Sequence, residues 1–104
     1  MLRLVPQVRH LRPGNTVSGP TLFSLADVAF YAAVLTAVGP RALAVTTNCS
    51  IDFLRKSSAD ADLLAQARIL KFGRRLVVGD VMIRRDGYSD VIARAGLTYS
   101  IPPR

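Results

Sequence analysis

The 104-residue chain contains one cysteine, Cys49, one histidine, His10, and no tryptophan. A lone cysteine cannot build an internal disulfide framework, and a single histidine leaves no His and Cys cluster for zinc. Neither a metal site nor a resident cofactor is expected, and the setting reads as reducing and cytoplasmic. Acid is also scarce: seven Asp and Glu face fourteen Lys and Arg, for a net charge of +7. Such a balance points to an anionic partner. The basic residues are scattered rather than gathered on one helix or interleaved with aromatics, so no nucleic-acid partner is expected. Long apolar runs are missing as well. Residues 22–38 fall a little short of the ~20 needed to span a bilayer and carry Asp27, and the first ten residues hold no apolar core of a secretory signal. No membrane partner is expected.

What remains is enough for one real core, since half the residues are apolar. The length suits a single domain over 1–104. A domain this small buries only about two-thirds of the surface its unfolded chain exposes, so a second copy is a reasonable expectation.

The first residues, 2–11, alternate weakly around Pro6 and read as a first or edge strand. The segment RPGNTVSGP is turn chemistry and ends in Ser18 as a helix cap, followed by Gly19 and Pro20. A helix is predicted from Pro20 through TLFSLADVAFYAAVLTAV, stopping at Gly39 and Pro40. It is apolar on nearly every side, which predicts a surrounded helix. Four segments near 42–54, 62–72, 75–85 and 89–100 are rich in β-branched and aliphatic residues, and Asp86-Gly87 and Gly73 mark tight turns between them. The expectation is an α+β fold in which an antiparallel meander wraps one central helix, a hot-dog topology.

Asp27 lies about two turns inside that helix, too deep to cap it, and a charge among apolar neighbours is costly without compensation. Pairing with a basic residue of the sheet or of a partner is the ordinary explanation. A carboxylate in an apolar, concave setting is otherwise a functional-site candidate. At the helix start the Gly19 backbone N–H is unobstructed by a side chain and sits at the positive end of the helix dipole, as an oxyanion donor would. Cys49, on an apolar strand, reads as an inert small hydrophobe.

FSLADVAFYAA, SIDFLRK and GRRLVVGDV, in that order, resemble the PaaI-like branch of hot-dog acyl-CoA thioesterases over residues 14–100. The resemblance implies that Asp27 is nucleophile or general base and that the Gly19 N–H polarises the thioester carbonyl. It further implies that Thr46, with Thr47 as the lesser choice, helps hold the attacking water. The implied substrate is an acyl- or aryl-CoA, whose phosphates would meet Arg55, Lys56, Arg74 and Arg75. The implied assembly is a homodimer or dimer of dimers, with glycine and carboxylate supplied by different subunits. The chain departs from the family in having Ser18-Gly19-Pro20 in place of His-Gly-Gly, in placing Arg12 where an asparagine is common with Asn15 out of register, and in a shortened N-terminal part. Ser18 and Asn15 are the expected substrate-side residues there. The alternative is a non-catalytic acyl-CoA-binding or protein-interaction module of the same fold.

Overall fold

A computed structural model describes residues 2–7, 10–12, 16–38, 45–56 and 60–101. The short strands β1 (Leu2–Leu4), β2 (Leu11–Arg12) and β3 (Thr16–Val17) precede helix α1 (Gly19–Val38). Strands β4 (Val45–Phe53), β5 (Leu63–Phe72), β6 (Leu76–Arg85) and β7 (Val91–Ser100) follow. Of the predicted strand over 2–11, the described residues show β1 ending at Leu4 before Pro6, which cannot donate to a ladder, while Leu11 belongs to β2, which pairs with β3 in a separate two-stranded ribbon.

The large sheet has the order β1-β5-β6-β7-β4 and is antiparallel throughout. The sheet and single helix are those of a hot-dog fold. Turn chemistry sets its hairpins. In the β6–β7 turn the Tyr88 N–H donates to the Arg85 carbonyl at 3.1 Å, and Gly87, with φ +85°, takes the left-handed position that a side chain would disfavour. Across β6 and β7 the pairs Val77–Tyr99, Gly79–Leu97, Val81–Ala95 and Ile83–Ala93 share the face that packs on the helix. Gly79 is where helix and sheet come closest, because a Cβ there would overlap both the Phe30 ring and the Arg68 carbonyl.

By length and composition α1 could cross a membrane. In the fold it lies on the sheet, burying Leu22, Leu25, Ala26, Ala29, Phe30 and Val34. Among the described residues Phe23, Val28 and Tyr31 stay exposed on the helix face turned away from the sheet.

Candidate active site

Ser18 caps α1 as predicted. Its Oγ accepts from the Thr21 N–H at 3.3 Å, and its carbonyl accepts the Leu22 N–H at 3.2 Å. Pro20 has no N–H to offer. In the first turn this leaves the Gly19 N–H as the donor to which no described residue supplies an acceptor. The exposed Phe53 ring lies over Gly19, with its tip 3.2 Å from where a Cβ would stand.

Two open clefts meet at this point. One, of about 420 Å³, runs from Gly19 and Leu22 past Phe53 and Leu54 to Arg55 and Lys56. The other, of about 490 Å³, is lined by Gly19, Pro20, Phe23, Ser24, Ile51 and Phe53. An apolar wall with two cations at its mouth suits an amphipathic anion.

Asp27 is two turns further along α1, on the stripe that carries Phe23 and Tyr31 at spacings of four. Partial burial leaves it reachable from outside the chain. No ion pair among the described residues includes Asp27. Thr46 Oγ1, from edge strand β4, donates to Asp27 Oδ1 at 2.9 Å. The Tyr99 hydroxyl, from β7, donates to the same Oδ1 at 2.6 Å and lies 2.9 Å from the Asp27 carbonyl oxygen. Burial, and then the carboxylate beside it, push the Tyr99 hydroxyl well above the ordinary phenol range, so it keeps its proton and remains a donor. Thr46 and Tyr99 are cross-strand partners on the helix side of the sheet, which is why both reach one oxygen. Thr47 instead donates to the Thr98 carbonyl at 3.1 Å.

Sequence reasoning missed Tyr99. The available signal was parity: Tyr99 shares its face with Leu97 and Ala95, and a tyrosine hydroxyl buried on that face needs an acceptor.

Gly19 and Asp27 do not meet within one chain. Eight residues of helix separate them, about 12 Å along the axis. The four basic candidates divide in the same way. Arg55 and Lys56 follow β4 at the Gly19 end, whereas Arg74 and Arg75 precede β6 at the other end of the sheet, nearest the Thr46–Tyr99 level. Asn15 lies outside the described residues. Among the described residues no three His, Cys, Asp or Glu side chains converge as metal ligands would.

Residues 14–91 match the model of the thioesterase superfamily. A Silicibacter protein described as a candidate thioesterase is 58% identical, with a TM-score of 0.89, covering 97% of this chain and 70% of its own. The PaaI protein of E. coli, from the phenylacetic acid degradation operon, is 28% identical, with a TM-score of 0.86 and coverages of 97% and 70%. A Bacillus halodurans protein solved with CoA is 21% identical, with a TM-score of 0.90 and coverages of 99% and 67%; that likeness is one of fold. No curated protein matches the chain.

Proposed function

The chain belongs to the thioesterase superfamily, and on that premise we propose that it hydrolyses an acyl- or aryl-CoA thioester to the free acid and CoA. One observation carries the reading: a carboxylate inside an apolar helix is held by two neutral hydroxyls on one oxygen, and among the described residues no cation pairs with it and no group donates to its other oxygen. A cation would tie up the charge. Hydroxyls orient it and leave it able to react.

In the general-base route, Asp27 takes a proton from water as the water oxygen bonds to the thioester carbon, and the carbonyl electron pair becomes an oxyanion on the Gly19 N–H. Collapse breaks the C–S bond, and the proton held by Asp27 passes to the departing CoA sulfur. In the nucleophilic route the carboxylate itself bonds to the carbon and expels CoA thiolate, and water then hydrolyses the mixed anhydride. Both need the donor and the carboxylate within a few ångströms of one carbonyl group. Since about 12 Å of helix separates Gly19 from Asp27, we assign the two groups of each site to different subunits.

Among the described residues edge strand β4, nine residues long, pairs with β7 alone, and its other side offers a ladder for joining a second copy. A two-fold through β4 brings the Gly19 end of one subunit to the Asp27 end of the other. Arg55 and Lys56 of the first and Arg74 and Arg75 of the second would then flank one site, as a ligand carrying separated phosphates requires. The CoA present in the Bacillus halodurans structure of this fold agrees with such a ligand. The single unpaired cysteine fits a cytoplasmic enzyme.

The test is a thiol-release assay across acyl-CoA chain lengths and aryl-CoAs, with Asp27→Asn beside the wild type. Turnover that is lost in Asp27→Asn supports the reading. CoA-ester binding by calorimetry without thiol release would make the chain a binding module instead.

A further inference from the structure

The two oxygens of Asp27 are not equivalent. Thr46 Oγ1 and the Tyr99 hydroxyl both donate to Oδ1, at 2.9 and 2.6 Å, while no described residue donates to Oδ2. We propose that Tyr99 is a positioning residue that, together with Thr46, pins Oδ1 and thereby makes Oδ2 the oxygen that attacks the thioester or takes the proton of water. The inference rests on the reading of Asp27 as the reacting carboxylate and adds which of its atoms reacts and what holds it.

The physical argument has three parts. An oxygen that accepts two hydrogen bonds, one of them short and charge-assisted, loses proton affinity and has its lone pairs engaged. The carboxylate's remaining basicity therefore falls on Oδ2. Next, the two donors come from neighbouring strands, β4 and β7, paired in register at Thr46 and Tyr99, so they fix the carboxylate against rotation from two directions. The reacting oxygen needs that constancy, because misplacement by about 1 Å costs on the order of a hundredfold in rate. Finally, Tyr99 cannot itself reach a substrate. It is 1% exposed, its ring stands edge-on to Phe30 with centroids 5.0 Å apart, and its single proton lies on the short line to Oδ1.

The other titratable groups around Asp27 are few. Cys49, from β4, lies close enough for the carboxylate to act on its thiol. Tyr31, one turn along α1, packs near the Tyr99 ring at 6.4 Å between centroids. Among the described residues no ion pair includes Asp27, so the two hydroxyls are the groups that hold it in place.

Tyr99→Phe removes the donor and keeps the ring against Phe30. The expected result is a fall in kcat of about tenfold on the pH plateau, the loss of one hydrogen bond to a charged group. KM should be unchanged, because the lost hydroxyl never touches the substrate. Thr46→Val should repeat the fall in kcat and Thr46→Ser should restore it. This pair on an exposed edge strand carries the test independently if Tyr99→Phe folds poorly. Kinetics of Tyr99→Phe and Thr46→Val that match the wild type in kcat, with Asp27→Asn inactive, would overturn the positioning role. So would a loss of activity that only follows the folded fraction. Activity retained by Asp27→Asn would instead remove the reading on which the inference stands.

Discussion

A site divided between subunits makes a quantitative prediction. One hydrolytic site needs a donor about 3 Å from the carbonyl oxygen and a carboxylate or its water about 3 Å from the carbon, a span that about 12 Å of helix between Gly19 and Asp27 overshoots. Asp27→Asn removes the reacting charge, and Gly19→Pro removes the oxyanion N–H. Proline is well tolerated at the first helical position, and its Cβ would stand 3.2 Å from the tip of the Phe53 ring, an exposed side chain. Each parent homodimer should lose about 10²-fold or more in kcat, the cost of losing one oxyanion donor. In a heterodimer of the two variants, one site carries both lesions and the other carries none. Co-expression with two affinity tags, purification of the doubly tagged dimer and a thiol-release assay should return about half of wild-type turnover per dimer. A purified heterodimer no more active than its parents would refute the divided site and return both groups to a single chain.

Three further outcomes follow from the fold. Gly79→Ala should destabilise the chain by about 1–3 kcal/mol or more, read from the denaturant midpoint, because its methyl group enters the Phe30 ring and the Arg68 carbonyl. Arg3 Nη1 bonds Asp62 and Asp86 at 2.8 Å each and ties β1 to the start of β5 and to the β6–β7 turn. Its guanidinium holds the Asp86 carboxyl below the usual range, so this contribution is present above the unfolded-state pKa and is lost as pH falls through the lower folded value. Thermal melts should therefore show a wild-type advantage over Arg3→Met at neutral pH that shrinks in acid and in high salt; an advantage constant from pH 7 to pH 2 would contradict it. The Cys49 thiol is pushed up by burial and then by the Asp27 charge, so its alkylation at neutral pH should be slower than that of a free thiol, and Cys49→Ala should keep full turnover.

Much of the architecture was legible because each element carried its own local signal. Ser18 before Gly19-Pro20 fixed the start of α1, and Asp86-Gly87 fixed a turn whose glycine has φ +85°. The aliphatic runs fixed the four long strands. The first strand was overextended because alternation over residues 2–11 cannot reveal that Leu11 and Arg12 pair with Val17 and Thr16 rather than with the sheet. Asp27 stood out because a charge inside an apolar helix has few local explanations. Tyr99 did not, since a tyrosine among β-formers looks like ordinary strand chemistry until the register places it opposite Thr46. An all-round apolar helix predicts cover on every side, but periodicity cannot say how many chains supply it.

The exposed side of α1 and the open oxygen of Asp27 have one physical cause. Phe23 and Tyr31 are 39% and 41% exposed on the stripe that carries Asp27 between them, and β4 runs beside that stripe as an unpaired edge. A lone chain would leave both an apolar face and a free ladder in water, and each favours association. Covering the stripe with a second copy lowers the dielectric around Asp27, which raises the cost of its charge unless donors are already in place. Thr46 and Tyr99 are those donors, built into the sheet before any partner arrives. Because they are neutral, they orient the carboxylate without the ion pair an arginine would form. Their preference for Oδ1 leaves the opposite oxygen for the carbonyl group that the partner's Gly19 N–H would polarise.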